Sequence, residues 1–236
     1  MKRFKKLVHT VLSISGFVPE NMNPLRLFFM IGSLLLVTFA LPNYKTLDYA
    51  ILYFLCGTIA YIIFIFSILP QNGLRLKLIE KFGEKKAYLH YEAILGFLFF
   101  HNGVALTFIS QTTSNDRFWP NIPEPIIFTI SGILFIVGIV VKIWSAYVVG
   151  IPIYYWKDMF LGKKVCEFVE TGPYKYLSNP MYGIGQVQVY AVAIYYGSIY
   201  GILFGAINQM LVFVFYYFVE KPFIQRTYLE PTKLNT

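Results

Sequence analysis

The amino-acid sequence predicts an all-α protein, a polytopic bundle of about six transmembrane helices. Of its 236 residues, 57% are hydrophobic and 19% aromatic, whereas only 14% are charged. A soluble domain carries about 25% charged residues, so this chain has too few to cover a water-facing surface. Apolar runs of nearly membrane-spanning length also recur along the chain, separated by short basic segments. The bilayer is therefore the predicted solvent.

The predicted spans are six apolar runs. They are approximately Leu25–Leu41, Asp48–Leu69, Tyr88–Ile109, Ile126–Val149, Met181–Tyr196 and Ile199–Val219. Several are shorter than the ~20 residues that an upright helix needs, so we expect tilt or local thinning of the bilayer. The link Gly197-Ser198 permits only a tight turn, which predicts a C-terminal helical hairpin. Because no linker or shift in composition interrupts the chain, residues 1–236 are predicted to form one domain.

The first 24 residues precede the first span and are predicted to form an interfacial segment. Phe4, Leu7, Val8 and Val11 recur at helical spacing, and the lysines and arginines among residues 2–6 can meet anionic head groups. The alternative is a frayed tail that carries stop-transfer charges.

The distribution of positive charge predicts the orientation. With the N-terminus inside, the inside segments hold 17 of the 20 lysines and arginines, and the outside segments hold only Lys45 and Arg117. The positive-inside rule then places both termini and the loop around Cys166 in the cytoplasm, either of bacteria or at the endoplasmic reticulum. The net charge of +8 is spread between apolar runs rather than clustered on a soluble face, so no nucleic-acid partner is expected.

Three side chains are candidate catalytic groups, because ionisable residues within a membrane usually face a cavity or a partner. Glu92 and His101 lie in the third span, and Glu220 ends the last span. For His101 the alternative is a hydrogen-bonded tie between helices, and for Glu220 it is an ion pair with Lys221. Histidines at positions 9, 90 and 101 do not form a recognisable metal set, so no metal is predicted.

The fourth span and its C-terminal end carry a second group of candidates. Gly138 and Gly150 have no side chain, which lets another helix or a ligand approach the backbone closely. Asp158 follows an aromatic cluster, where its carboxylate can hydrogen-bond a ribose or an ammonium group. The alternatives are helix packing for the glycines and a solvated pair with Lys157 for Asp158.

The most informative segment is Thr171-Gly-Pro-Tyr-Lys-Tyr-Leu-Ser-Asn-Pro-Met-Tyr182, a polar loop in an apolar sequence. Its two prolines each fix a backbone dihedral angle, so the loop is stiff. Pro180 suits the first turn of a helix, and Asn179 suits its N-cap. Free amides at a helix start would suit a carboxylate ligand. The alternative is an ordinary capped turn between two membrane helices.

This loop, followed by a hydrophobic hairpin and Glu220-Lys-Pro-Phe223, resembles the integral-membrane methyltransferases. The resemblance covers residues 132–228 and is closest to phosphatidylethanolamine N-methyltransferase, with isoprenylcysteine carboxyl methyltransferase as a relative. Asn179-Pro-Met-Tyr182 matches the former residue for residue, and Tyr228 matches the distal tyrosine of the family ending. Two positions depart from the family pattern: Ile136 replaces the first glycine of a Gly-x-Gly motif, and Lys221 replaces a second glutamate.

The resemblance implies S-adenosylmethionine as cofactor and N-methylation of a phospholipid head group at the cytoplasmic face, with a membrane phospholipid as the partner. The implied cofactor-binding residues are Gly138, Gly150, Asp158, Tyr174, Asn179, Pro180, Met181, Tyr182 and Glu220. Three alternatives stay open: methylation of another lipophilic acceptor such as an isoprenylcysteine carboxylate, a membrane sterol reductase, and a non-enzymatic membrane protein. The sterol reductases typically show Asn-Tyr-Leu-Gly-Asp where Met181-Tyr-Gly-Ile-Gly185 stands here.

Overall fold

The computed structural model describes residues 2–43, 45–114 and 118–229, and these form helices and irregular segments with no strand. The predicted all-α class is confirmed. The helices are α1 (Lys2–Ile14), α2 (Pro24–Leu35), α3 (Leu47–Ile68), α4 (Arg75–Phe82), α5 (Glu84–Thr112), α6 (Glu124–Val149), α7 (Ile151–Tyr154), α8 (Lys157–Leu161), α9 (Val187–Tyr196), α10 (Ile199–Phe215) and α11 (Lys221–Ile224).

Five helical runs of the described chain are long and apolar enough to cross a membrane. They are Pro24–Asn43, Leu47–Ile68, Glu84–Thr112, Glu124–Val149 and Ile199–Leu229. The first continues α2 through a π-helical turn, Leu36–Ala40, and the last continues α10 through Tyr216–Glu220, α11 and Gln225–Leu229. These runs correspond to five of the six predicted spans, and the chain is a multi-pass membrane protein.

The fifth predicted span, Met181–Tyr196, differs from expectation. Only Val187–Tyr196 is α-helical, and these 10 residues extend about 15 Å. The preceding residues instead form tight turns, in which the Gly183 amide donates to the Asn179 carbonyl oxygen at 2.9 Å and Gly185 to Pro180 at 2.7 Å. Pro180 and the two glycines disfavour a regular helix there, which hydropathy alone does not reveal.

The irregular segment before α9 packs against the C-terminal half of α6. A Cβ atom built on Gly185 would lie 3.6 Å from the Cα atom of Lys142. One on Gly138 would lie only 2.5 Å from the backbone nitrogen of Gln188, so α6 and α9 are nearly in backbone contact. Non-helical backbone at membrane depth is tolerated where it is buried in protein or lines a cavity. This segment is therefore a candidate part of a functional site.

The C-terminal hairpin is confirmed. Gly197 ends α9 with a left-handed φ of 67°, and the Ser198 hydroxyl accepts from the Gly201 amide at 2.8 Å to cap α10. The two helices pack against each other, so the start of α9 and the end of the last long helix lie at the same end of the bundle. The Tyr182 hydroxyl there donates to Glu220 at 2.7 Å.

The N-terminal residues form a helix that packs on α6 and α7. Its small polar residues Thr10 and Ser13 are buried, and the Tyr155 hydroxyl donates to the Ser13 carbonyl oxygen at 2.8 Å. Its apolar side chains point away from the protein, and Phe4 is 69% exposed. This arrangement suits a helix whose apolar face meets lipid, although its interfacial position stays a prediction.

Candidate functional site

A cavity of about 340 Å³ opens at the end of the bundle where the last long helix ends. Its walls are α7 and α8, the segment 167–182 and residues 216–229. Seven of the nine predicted cofactor-binding residues line it: Asp158, Tyr174, Asn179, Pro180, Met181, Tyr182 and Glu220. The fold thus brings together side chains that are up to 62 positions apart in the sequence.

The loop that forms one wall is held against the end of α6. Gly172 has a left-handed φ of 62°, and a Cβ atom there would lie 2.9 Å from Val148 and 3.2 Å from the Trp144 indole nitrogen. Only glycine fits this close approach without strain. Pro173 is buried in the same turn, which places Tyr174 at the cavity. Burial raises the pKa of the Tyr174 phenol, and the nearby charge of Glu220 adds to the effect.

The predicted helix start at Pro180 is absent. The helix begins at Val187, with Gln186 at the N-cap and no side-chain cap. Asn179 instead accepts the Gly183 amide through its backbone oxygen. The free amides that the sequence suggested at a helix start are therefore replaced by a turn whose residues line the cavity.

Glu220 is fixed by the hairpin rather than by its neighbour. The Tyr182 hydroxyl donates a hydrogen bond to the Glu220 carboxylate. The Gln209 side-chain amide in turn donates to the Tyr182 carbonyl oxygen at 2.8 Å. The Lys221 ammonium instead lies 5.5 Å from the centre of the Tyr217 ring. Among the described residues, Glu220 and Lys221 form no ion pair with each other. The carboxylate is thus available on the cavity side.

Asp158 is the most deeply buried acid of the cavity, with 4% of its surface exposed. Its Oδ2 atom accepts from the amides of Val165 and Cys166, each at 3.1 Å, and from the Tyr228 hydroxyl. Its Oδ1 atom is also buried but has no hydrogen-bond partner among the described residues. A buried carboxylate oxygen is costly without a donor, so a ligand with a hydroxyl or ammonium group fits this position.

Trp156 orients this part of the wall. It has the only left-handed backbone among the described non-glycine residues, with φ of 49°, and it directly precedes α8. Such backbone is strained for a bulky residue and clusters at functional sites. The sharp bend separates α7 from α8 and lets both Trp156 and Asp158 line the cavity.

Two predicted cofactor residues lie outside the cavity lining. Gly138 faces the backbone of Gln188, so its missing side chain permits helix contact. Gly150 has φ of 84° and forms the junction between α6 and α7. Their contacts in this structure are with the protein itself.

Two of the three catalytic candidates also lie away from the cavity. Glu92 is 1% exposed and accepts from Arg26 at 2.9 Å, Asn21 at 2.6 Å and Tyr88 at 3.0 Å. His101 is 3% exposed, and its two ring nitrogens hydrogen-bond Ser33 at 2.9 Å and Tyr53 at 2.5 Å. Both residues join α5 to neighbouring helices, whereas Glu220 lines the cavity.

Sequence reasoning left several lining residues out of the predicted site. They include Trp156, Glu167, Phe168, Glu170, Tyr216 and Tyr228. Two of them have a signal in the sequence: Tyr228 matches the family ending, and Trp156 is part of the aromatic cluster that precedes Asp158. The acids Glu167 and Glu170 lie in a charged loop where nothing in the sequence distinguishes them from solvated residues.

Comparison with known proteins identifies the segment that contains this cavity. Residues 126–230 match the family model described as phospholipid methyltransferase. Over 106 residues the chain is 33% identical to phosphatidylethanolamine N-methyltransferase B of Dictyostelium discoideum, covering 45% of this chain and 52% of that protein. It is 31% identical over 138 residues to phosphatidyl-N-methylethanolamine N-methyltransferase of Emericella nidulans, covering 57% and 64%.

A third relative, phosphatidylethanolamine N-methyltransferase of Eremothecium gossypii, is 29% identical over 96 residues, which are 41% of this chain and 11% of that protein. The chain thus spans less than two thirds of the length of these relatives. No solved structure matches. All residues that line the cavity, from Val149 to Leu229, fall within the matched segment. Residues 126–230, and with them the whole candidate site, match the phospholipid methyltransferase family model.

Proposed function

We propose that this chain catalyses S-adenosylmethionine-dependent N-methylation of a phospholipid head group, phosphatidylethanolamine or its methylated forms, at the cytoplasmic face of the membrane. One observation carries the proposal: the family-matched segment folds around a cavity at the end of the spans, which is lined by Asp158, with one oxygen lacking a described partner, and by a second carboxylate, Glu220.

The cavity fits the cofactor in size and in chemistry. A volume of about 340 Å³ lies within the range of small-molecule sites, ~300–1,000 Å³. The free Oδ1 atom of Asp158 and the carboxylate of Glu220 are acceptors for ribose hydroxyls and for an ammonium group. Tyr154, Trp156 and Tyr216 supply aromatic surface for an adenine ring. When bound, S-adenosylmethionine supplies a methyl group that an amine lone pair can attack.

The residues of the chain contribute mainly by positioning and by excluding water. An ammonium has no lone pair, so the acceptor amine must lose a proton before it reacts. Glu220 is the catalytic candidate that lines the cavity, and its carboxylate either holds a cationic group or accepts this proton. Holding two reactants in line within a dry cavity accounts for a large part of the barrier lowering.

The topology is part of the proposal. The positive-inside count places the loop between α8 and the Gly172 turn in the cytoplasm, together with both termini. This loop forms one wall of the cavity, so a water-soluble cofactor would enter from the cytoplasm. A cysteine introduced at Lys163 should react only with a reagent on the cytoplasmic side of sealed vesicles. Its reaction with an impermeant reagent on the other side would contradict this orientation.

The decisive test is an assay on purified protein in mixed micelles with radiolabelled cofactor. The acceptors are phosphatidylethanolamine, its monomethyl and dimethyl forms, and an isoprenylcysteine analogue. Transfer to one or more of the three phospholipids is expected. Transfer to the isoprenylcysteine analogue alone would replace the proposed acceptor. Binding of S-adenosylhomocysteine by calorimetry without any transfer would point to a protein that has kept the site but lost the reaction.

A further inference from the structure

A second cavity lies beside the first, at the same end of the bundle. Its volume is about 510 Å³, and it opens between the end of α3, the start of α4 and the helical segment that contains α11. The two cavities share Met159 and Phe223 as lining residues. A molecule in the second cavity would therefore lie next to the candidate methyl-transfer site.

Two guanidinium groups line the second cavity, and neither has a carboxylate partner among the described residues. Arg75 is 7% exposed and donates to the carbonyl oxygens of Pro70, Gln71 and Phe160 at 3.0–3.4 Å. Arg226 donates to the side-chain oxygen of Gln71 at 2.8 Å. Because all of these acceptors are neutral, no described carboxylate compensates the positive charge of either arginine.

The positive charge of Arg75 is held in place by the fold. Gly162 has φ of 70°, and a Cβ atom there would lie 2.6 Å from Arg75 Nη1, so the guanidinium packs directly on the backbone. Burial lowers the pKa of Arg75, because removal from water disfavours the charged form of the guanidinium. A guanidinium offers five N–H donors and Arg75 uses three of them here, so capacity for an anion is left.

The opposite wall of this cavity is apolar. It contains Phe66, Phe218 and Val219, and Phe218 is 74% exposed on the outer surface of the last long helix. Cationic and hydrocarbon surfaces in one cavity, at the end of membrane-spanning helices, match the two parts of a phospholipid. Guanidinium groups are the usual partners of phosphate because they form strong, charge-assisted hydrogen bonds.

We infer that this second cavity binds the phosphodiester of the acceptor phospholipid, between Arg75 and Arg226. The inference rests on the proposed function and adds the element that selects a phospholipid over a soluble amine. The amine end of the head group then points past Met159 and Phe223 toward Glu220, and the acyl chains lie along Phe66 and Phe218. In this site Arg226 contacts only the phosphate with its free donors. Arg75 contacts the phosphate and also donates to backbone carbonyl oxygens.

The test compares Arg226→Gln with Lys77→Gln. Arg226 is exposed at the rim, so its replacement leaves the fold intact, and Lys77 is an exposed cation on α4 that does not line the cavity. Arg226→Gln is expected to raise the KM for the phospholipid acceptor by roughly ten-fold, the effect of one charge-assisted hydrogen bond. The KM for S-adenosylmethionine and the Kd for S-adenosylhomocysteine should not change. An unchanged lipid KM, or an equal rise in Lys77→Gln, would overturn the inference.

A binding measurement separates this inference from the proposed function. Native mass spectrometry in detergent would compare retention of phosphatidylethanolamine with retention of diacylglycerol, which lacks the phosphodiester. Retention of phosphatidylethanolamine that Arg226→Gln abolishes, with no turnover by the unmodified protein, would support the subsite and refute the reaction. Arg226-dependent retention of phosphatidylglycerol but not of phosphatidylethanolamine would make it a site for another anionic lipid, and the acceptor assignment would fall.

Discussion

The N-terminal and C-terminal parts of this bundle both bury polar groups, but they treat them differently. In the part before α6, Glu92 has three hydrogen-bond donors and His101 uses both ring nitrogens, so these groups are consumed by contacts between helices. In the part from α6 onward, Asp158 keeps a buried oxygen without a described partner, and Glu220 faces a cavity. The family match covers only the second part.

This contrast teaches how to separate a structural acid from a functional one within a membrane. Glu92 and Glu220 are the same residue type, and each lies in a helix long enough to span the membrane, so neither property decides between the roles. The number of hydrogen bonds that each carboxylate already accepts distinguishes the roles. The Glu92 carboxylate accepts from Arg26, Asn21 and Tyr88, so it has little capacity left for a ligand. Four experiments test this distinction.

The largest expected effect is loss of stability in Glu92→Ala. This change leaves the Arg26 guanidinium, which is 1% exposed, without its anion, and breaking one partner of a buried ion pair costs about 3–5 kcal/mol. Reversible unfolding in mixed micelles would measure it. The double variant Arg26→Met, Glu92→Leu should recover most of the loss, since it removes both charges. A stable Glu92→Ala protein that has lost activity would instead return Glu92 to the catalytic candidates.

The second effect is loss of cofactor affinity in Glu220→Gln. The glutamine keeps the size of the side chain and can still accept from Tyr182, but it lacks the charge that attracts an ammonium. Losing a charge-assisted hydrogen bond costs ~1.5–3 kcal/mol, so the Kd for S-adenosylhomocysteine should rise roughly ten- to a hundred-fold. Calorimetry would measure the Kd, with thermal stability nearly unchanged.

Glu80→Gln is the matched control, because Glu80 is an exposed acid on α4 outside the cavity. It should leave the Kd unchanged. Unaltered affinity in a folded Glu220→Gln protein would mean that the carboxylate serves only the hydrogen bond with Tyr182.

The sequence predicted the bundle and the C-terminal hairpin because composition and the two-residue link Gly197-Ser198 allow few alternatives. It also predicted most of the cavity, through a motif that resembles a family. It did not predict the turns before α9, since apolar residues there hide the local effect of Pro180 and Gly185. Nor did it separate Glu92 from Glu220, because which partners a side chain meets depends on how the helices are rotated, and spacing does not determine that.

The third effect concerns Gly138, which lies in the family segment but contacts the backbone of α9. In Gly138→Ala the new Cβ atom would meet Gln188 at 2.5 Å, and overpacking of this kind costs about 1–3 kcal/mol. Gly132→Ala is the control on the same helix, because nothing lies within 4 Å of its Cβ position. Thermal unfolding should therefore separate the two alanine variants.

The affinity of Gly138→Ala for S-adenosylhomocysteine gives the second readout. A glycine that only permits helix packing should change this Kd less than Glu220→Gln does. A large rise in Kd without loss of stability would show that Gly138 acts in cofactor binding, as the resemblance implied.

The smallest effect uses the two cysteines, one in each part of the molecule. Cys56 lies exposed in α3, and Cys166 lies half-buried beside Asp158. Burial raises the pKa of the Cys166 thiol to about 11, and the Asp158 charge adds to this. A raised pKa means less thiolate, so alkylation at neutral pH should be slow and should accelerate about ten-fold per pH unit from pH 7 to 10, because only the thiolate reacts.

The Cys166 amide donates to the Asp158 carboxylate, whose other oxygen has no described partner and which lines the cavity, so a ligand bound to Asp158 should hold this segment in place. Saturating S-adenosylhomocysteine should therefore slow alkylation of Cys166 by N-ethylmaleimide about five-fold, the size of a weak coupling between sites. The alkylation rate of Cys56 should not change when the ligand binds, because no residue of α3 lines the first cavity. Mass spectrometry of peptides would give both rates from one sample. If ligand binding is evident by calorimetry while Cys166 reacts at its original rate, the cofactor does not reach Asp158, and the free oxygen needs another partner.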